Sequence, residues 1–354
     1  MSRFFSEKYT ELEAYVPGEQ PKDQKYIKLN TNENAFPPHP AVAAAAEKAA
    51  RSLHLYSDNE CLEIRQKLAE RQGLTPEELV MVNGSDEVLN FAFMAFCDRH
   101  IPAVFPDITY GFYPVFAKLN QIEYREIPLQ EDLTIRVDDY LNAAGTIFIA
   151  NPNAPTGIAL NRSEIERILQ ANPYNVVVVD EAYVDFGAES CIPLIRKYDN
   201  LLVTQTFSKS RSMAGARLGF GAANPEIIRD LETIRYSTNP YNLDSMTLAA
   251  GAACLDHDGY NTENCRKIIK TRDRVRGELR KLGFEVTKSS ANFLFARHPD
   301  IPGEELYRRL KEKGILIRHF NKERIREYNR ISIGTDEQMD TFLAAVTAFV
   351  DRDK

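Results

Sequence analysis

Lys209 stands in Thr206-Phe207-Ser208-Lys209-Ser210-Arg211-Ser212-Met213-Ala214-Gly215-Ala216-Arg217-Leu218-Gly219-Phe220, the stretch of this chain richest in usable chemistry. A lysine amine becomes a covalent catalyst when it forms a Schiff base with a carbonyl. Such a lysine profits from neighbouring hydroxyls and from a fixed cation that holds an anionic cofactor in place. Thr206 and Ser208 supply the hydroxyls, and Arg217 supplies the cation. Upstream, the apolar run Val176-Val177-Val178-Val179 ends in Asp180, followed by Glu181, Ala182 and Tyr183. A buried strand that delivers a carboxylate, followed by a lysine among hydroxyls, points to a site for pyridoxal 5′-phosphate. Alone, Lys209 would read as an ordinary solvated lysine; the constellation decides against that.

Pyridoxal phosphate asks a protein for a lysine, a phosphate cradle, partners for its ring nitrogen and phenolic oxygen, and a surface to lie against. Asn83-Gly84-Ser85-Asp86-Glu87 precedes an apolar stretch from Val88. The N–H groups of Ser85 and Asp86 are therefore expected to open a helix and face an anion. Read alone, Ser85 would simply cap that helix. Ser208 and Arg217 would complete the cradle, the arginine through paired hydrogen bonds to the phosphate. Asp180 is expected at the C-terminal edge of a sheet, where ligands of open α/β sheets gather. There it would keep the pyridine nitrogen protonated, and Tyr183 would hydrogen-bond the phenolic oxygen. Tyr110, in Thr109-Tyr110-Gly111-Phe112-Tyr113, offers a ring to stack, although such a stretch also suits a core.

These residues need elements to position them. Short apolar runs alternate with helical stretches through the middle of the chain: Ala103 to Phe105, Thr146 to Ala150, Val176 to Val179, Leu201 to Thr204 and Leu218 to Ala222. Alternation of this kind implies an α/β layer with a mainly parallel sheet. Helices are expected at Ala41–Leu53, at Leu62 to Gly73 and over the buried run from Val88 to Phe96, and Asn161 with Glu164 forms a capping box. The character changes near residue 255. A long charged helix is expected from Asn261 to Leu282, ending at Gly283, then strands at Phe284–Thr287, Asn292–Ala296, Ile315–Arg318 and Arg330–Ile333, with helices at Glu304–Lys313 and Glu337–Asp351. The expected division is a large α/β domain over 30–255 and a small α+β domain over 256–354. Residues 1–29 are too polar and proline-punctuated to fold alone, and form an arm that packs on the small domain or on a partner subunit.

Bulk properties narrow the function classes. With 354 residues there is room for two domains, and 44% hydrophobic with 27% charged content is that of a soluble globular chain. A net charge of -7 argues against a surface made for nucleic acid. No apolar stretch approaches the roughly 18 residues of a membrane span, and the start carries no secretory signal pattern. Five scattered cysteines with no C-x-x-C pair fit reduced thiols in a cytoplasmic protein, and the six histidines show no metal-ligand spacing, so no metal is expected.

The chain resembles the fold-type I pyridoxal-phosphate-dependent aminotransferases of the aspartate aminotransferase superfamily, and within it the histidinol-phosphate aminotransferase family. The resemblance spans nearly the whole sequence: Tyr15-Val16-Pro17-Gly18-Glu19, Leu29-Asn30-Thr31-Asn32-Glu33-Asn34, Tyr56-Ser57-Asp58, Asn83 to Glu87, Asn151-Pro152-Asn153-Ala154-Pro155-Thr156-Gly157, the Asp180/Tyr183 pair, the Lys209/Arg217 segment and Asn329 to Gly334. It implies that Lys209 carries the cofactor and shuttles protons, that Asp180 and Tyr183 take the ring nitrogen and phenolic oxygen, and that Tyr110 stacks. Gly84, Ser85, Asp86, Thr206, Ser208 and Arg217 would surround the phosphate. Tyr56 would reach the phosphate in a neighbouring subunit's site, which implies a homodimer with shared active sites. Arg330 would grip a carboxylate or phosphate of the substrate, with Arg318, Tyr15 and Asn34 beside it. Two departures stand out. Ala154 replaces the asparagine that usually precedes Pro-Thr-Gly and donates to the phenolic oxygen, so either Asn153 or Asn151 takes over or Tyr183 acts without help. Ser57 replaces the proline of a common Tyr-Pro-Asp.

The implied reaction is a transamination in two halves, in histidine biosynthesis. Glutamate gives up its amino group and leaves as 2-oxoglutarate, and imidazole-acetol phosphate takes the group to become histidinol phosphate. Rival readings are an aromatic or broad-specificity aminotransferase of the same fold, a decarboxylase of a phosphorylated amino acid, and a sensing module that binds the cofactor without turnover.

Overall fold

The structure is a computed structural model that describes residues 2–351. Its centre is a seven-stranded sheet in the spatial order Leu79–Val82, Gly219–Ala223, Leu201–Thr206, Val177–Asp180, Thr146–Ala150, Ala103–Pro106, Tyr124–Ile127. Gly219–Ala223 runs antiparallel to both neighbours, and every other pairing is parallel. Helices cover both faces of a parallel sheet, which explains why its central strands are continuous apolar runs rather than alternating ones. Val177, Val178 and Val179 are fully buried, and separate apolar cores lie above and below them.

Each anticipated strand of this sheet forms within two residues of its expected limits. The strands Leu79–Val82 and Tyr124–Ile127 and the helices Pro225–Thr238 and Ser245–Asp256 are additions. The first addition is an uninterrupted Leu-Val-Met-Val too short to separate strand from helix by period. Asn161 and Glu164 close their capping box, with Glu164 Oε2 accepting from Asn161 N at 2.7 Å. The helix expected to end near Gly73 ends at Gln72, because Gly73 turns left-handed at φ 67°.

The long helix runs Asp258–Lys281, starting three residues before the expected Asn261. Beyond it, Arg318–His319, Asn329–Ser332, Phe293–Arg297 and Glu285–Val286 make a four-stranded antiparallel sheet. The single strand expected over Ile315–Arg318 divides in two: Ile315–Leu316 pairs instead in parallel with Ile27–Lys28. The N-terminal arm is tied to this part of the molecule again by Glu19, whose carboxylate pairs with Lys311 at 2.5 Å and accepts from Tyr307. A further apolar core joins Leu29 and Phe186 to the side chains of these C-terminal helices and strands.

The strand Gly219–Ala223 and the helix Ser85–Phe96 approach each other more closely than a side chain allows. A Cβ on Gly219 would lie 2.5 Å from Ser85 N and 2.6 Å from Gly84 C, backbone atoms that cannot swing away. By contrast a Cβ on Gly277, within the long helix, meets nothing within 4 Å. Gly219→Ala is therefore expected to cost about 1–3 kcal/mol in denaturant unfolding. Gly277→Ala should stabilise by roughly 0.5–1 kcal/mol. Equal stability of the two variants would refute this account of the helix–strand contact.

Candidate active site

Asp180 ends the strand Val177–Asp180 and Thr206 ends its parallel neighbour, so the sheet brings the carboxylate and the Ser208–Lys209 loop to one edge. Two adjoining cavities open there. The inner one, about 190 Å³, is bounded by Asp180, Ser85, Thr206, Ser208 and Arg217. The outer one, about 360 Å³, is bounded by Tyr15, Asn32, Arg318, Phe320 and Arg330. Lys209, Tyr183, Tyr110, Thr31 and Ala154 line both. Lys209 thus stands at the junction, with Nζ 3.4 Å from the Thr31 carbonyl and 5.7 Å from the centre of the Tyr183 ring.

The inner cavity is polarised. At one end Asp180 is 5% exposed, and among the described residues its carboxylate accepts only from Ala182 N (3.1 Å) and, at 3.5 Å, from the Tyr113 hydroxyl. Burial pushes its pKa up to about 7, aided by the nearby Asp86 and Glu181. At the other end Arg217 sits in the left-handed region at φ 55°, which turns its guanidinium towards the helix start. It pairs with Asp86 at 3.0 Å and approaches Ser208 Oγ at 3.5 Å. The helix is capped by Gly84, not by Ser85, which leaves the Ser85 hydroxyl and the first N–H groups at the cavity. A Cβ on Gly84 would stand 2.4 Å from Arg217 Nη2, so a side chain there would fill the cradle. A buried carboxylate without a cation at one end and an anion cradle at the other fit pyridoxal phosphate, which is cationic at its ring nitrogen and anionic at its phosphate.

The outer cavity carries the opposite imbalance. Among the described residues no carboxylate lies within ion-pair distance of Arg330 or Arg318. Arg330 is held between Phe293 and Phe320, donates through Nη2 to the Asn30 carbonyl at 3.1 Å, and keeps Nε without a partner. Burial lowers its pKa from the ordinary arginine value. Arg318 donates to the carbonyls of Val16 and Pro17, and Tyr15 stacks on Phe112 at 4.1 Å.

Three asparagines named as candidates are committed elsewhere. Asn153 is buried, but its amide donates to the Ile108 carbonyl and Thr156 Oγ1 and its Oδ1 accepts from Thr109, so it holds the loop and faces neither cavity. Asn151 is likewise committed, to both backbone groups of Leu160. Asn34 donates to the carbonyls of Lys209 and Ser210 and braces the lysine loop from behind, away from the outer cavity. Tyr56 lines neither cavity of its own chain; it is 83% exposed and stacks on Tyr241 at 4.4 Å. Asp86, expected at the phosphate through its backbone N–H, also accepts through its carboxylate from Tyr110 at 2.7 Å and so fixes that ring. Sequence reasoning passed over Tyr113, Thr31, Asn32, Phe320 and Lys322. Tyr113, Thr31 and Asn32 lay in segments already singled out, but nothing in a sequence says which of several neighbouring side chains turns inward.

Comparison with known proteins agrees with this geometry. The family pattern described as aminotransferase class I and II matches residues 24–346. The histidinol-phosphate aminotransferase of Acinetobacter baylyi is 47% identical over 352 residues, covering 98% of each chain. That of Brachyspira hyodysenteriae is 45% identical over 348 residues, again 98% of each. The crystal structure of histidinol-phosphate aminotransferase from Sinorhizobium meliloti in complex with pyridoxal-5′-phosphate superposes with a TM-score of 0.86 at 25% identity, over 93% of this chain and 92% of that one. The fold is that of the fold-type I pyridoxal-phosphate enzymes. The chain belongs to the class I and II aminotransferases, and its cofactor is pyridoxal 5′-phosphate.

The electrostatics of Asp180 are testable without turnover. Its folded pKa lies above the ordinary carboxyl value, so its ionisation opposes folding of the cofactor-free protein. That cost is absent below about pH 4, grows as pH rises, and is complete above about 7. Cofactor-free Asp180→Asn should therefore gain on the order of 4 kcal/mol over wild type at pH 8 and nothing at pH 4, read by denaturant unfolding. The same variant should bind the cofactor at least about tenfold more weakly, since a lost charge partner is worth more than 1 kcal/mol. A pH-independent difference in stability would contradict this.

Proposed function

We infer that this chain catalyses the transamination between histidinol phosphate and 2-oxoglutarate, the reverse direction consuming imidazole-acetol phosphate and glutamate. The reading rests on Lys209 standing between a cavity suited to the cofactor and one holding two arginines without acidic partners. The choice of histidinol phosphate rests on relatives of that name at 45–48% identity over nearly the full length.

Bound pyridoxal phosphate supplies an aldehyde that takes amines covalently and a ring that accepts the electron pair left by Cα–H cleavage. The chain's own residues do the rest. Lys209 Nζ takes the proton from Cα of the amino donor and returns one to the acceptor's carbon; held at the cavity junction, it needs no diffusion to reach either. Asp180 retains its charge beside a cationic ring nitrogen, because that cation relieves the burial cost that otherwise protonates it. Arg217, Ser208, Thr206 and the N–H groups opening the helix at Ser85 bind the phosphate. Tyr110 and Ala182, which line the inner cavity, would confine the ring, and Tyr183 would meet its phenolic oxygen.

Arg330 and Arg318 bind the substrate's anionic end, a carboxylate in one half-reaction and a phosphate in the other. A planar guanidinium can pair with both shapes. Arg330's unpaired Nε and its aromatic walls favour it as the principal anchor. We further assign a cytoplasmic homodimer. The five cysteines, all buried and free, suit a reducing compartment. The exposed, stacked Tyr56 and Tyr241 would be covered by a partner, Tyr56 entering its site.

An assay coupling histidinol phosphate and 2-oxoglutarate, run beside an amino-acid panel, tests the assignment. Preference for phenylalanine or tyrosine, or release of CO₂ without a keto acid, would overturn it. Lys209→Ala should lose the yellow of the wild-type protein and at least about 10³-fold in turnover. Arg330→Lys, which keeps the charge but not the fork, should lose at least about tenfold in kcat/KM with the cofactor spectrum intact.

A further inference from the structure

The cavity wall at position 154 is a methyl group, where the resemblance to the aspartate aminotransferase superfamily leads one to expect an amide. Neither neighbouring asparagine replaces it, since Asn151 and Asn153 spend their amides on the loop itself. An amide enters the site from a different element. Asn32 Nδ2 donates to Tyr183 Oη at 2.9 Å.

Asn32 is 1% exposed and held on three sides. Its backbone N–H donates to Ser332 Oγ at 2.8 Å, and Ser332 Oγ gives its own proton to Asn32 Oδ1 at 3.0 Å. The Asn32 carbonyl accepts from Asn292 Nδ2 at 3.0 Å. The serine decides which way the amide faces. Turned over, the amide would offer Ser332 Oγ a second donor and leave the serine proton without an acceptor. With Nδ2 towards Tyr183, the phenol oxygen must accept from Asn32, and its single proton is left to give. Among the described residues no protein acceptor takes that proton, and Tyr183 lines both cavities.

We propose that Asn32 is a positioning residue that holds the Tyr183 hydroxyl as a hydrogen-bond donor towards the cofactor's phenolic oxygen, in place of the amide donor missing at position 154. This rests on the assignment of Tyr183 to that oxygen made above. A donated hydrogen bond stabilises the oxygen's negative charge and so lowers the pH at which the bound cofactor loses its proton. In Asn32's absence the hydroxyl is free to rotate away, and an aspartate there would capture its proton.

The test is the pH midpoint of the holoenzyme's visible absorbance, a quantity that loosened packing alone does not shift in a fixed direction. Asn32→Ala and Asn32→Asp should each raise the midpoint by about one pH unit. Ser332→Ala, which frees the amide without emptying its site, should raise it less and covers the case in which Asn32 variants do not fold. In a Tyr183→Phe background Asn32→Ala should add nothing. Folded Asn32→Ala holoenzyme with an unmoved midpoint, or a shift that persists undiminished in Tyr183→Phe, would overturn the proposal. A midpoint unmoved by Tyr183→Phe alone would instead overturn the assignment of Tyr183.

Discussion

Two groups without a counter-charge, a buried carboxyl and a half-buried guanidinium, flank one lysine, and the rest of the architecture serves to keep them unpaired. Asp180 has a backbone N–H and a distant phenol for company, while Arg330 has a carbonyl and two aromatic faces. A folded chain left to minimise its own energy would pair such groups or expose them. Here the complementary charges belong to molecules that arrive later. On the proposed assignment, the cofactor's cationic ring would lie beside the first and the substrate's anion beside the second. Each binding event then recovers a solvation cost already incurred on folding. That gives both ligands an orientation, since exchanging the two ends would set like charges together.

Holding those charges in place requires backbone to pass where side chains would not fit. Gly219 lets an antiparallel strand touch the start of the helix at Ser85, and Gly84 leaves room for the Arg217 guanidinium. Arg217 itself adopts a left-handed backbone conformation seldom used by side-chain-bearing residues. In that conformation the side chain reaches Asp86 and Ser208. The cradle is thus assembled from three segments distant in sequence, brought together by the edge of one sheet.

Much of this was legible beforehand, for identifiable reasons. Parallel strands buried on both faces are short, mostly apolar runs, so Thr146–Ala150, Val176–Val179 and Leu201–Thr204 announced themselves as strands. The lysine, its hydroxyls and Arg217 share one short segment, and local chemistry survives folding unchanged. Leu79–Val82 was hidden because four apolar residues fit either period. Ile315–Arg318 was read as one strand because a run of Ile-Leu-Ile carries no mark of where a chain leaves one sheet for another. The asparagines misled in a different way. An amide donates and accepts with equal ease, so Asn34, Asn151 and Asn153 could be counted as site residues by type although each is consumed by backbone groups nearby.

By itself, then, the sequence determined the α/β class, the cofactor and the groups that chemistry would demand, since these follow from residue types and from spacing along the chain. Tertiary structure alone decided which polar atoms were left over. Whether an amide is spent on a loop or offered to a ligand depends on partners hundreds of residues away, as with Asn32 and Ser332. Hydrogen-bond saturation is a property of the assembled neighbourhood, and no stretch of residues carries it alone.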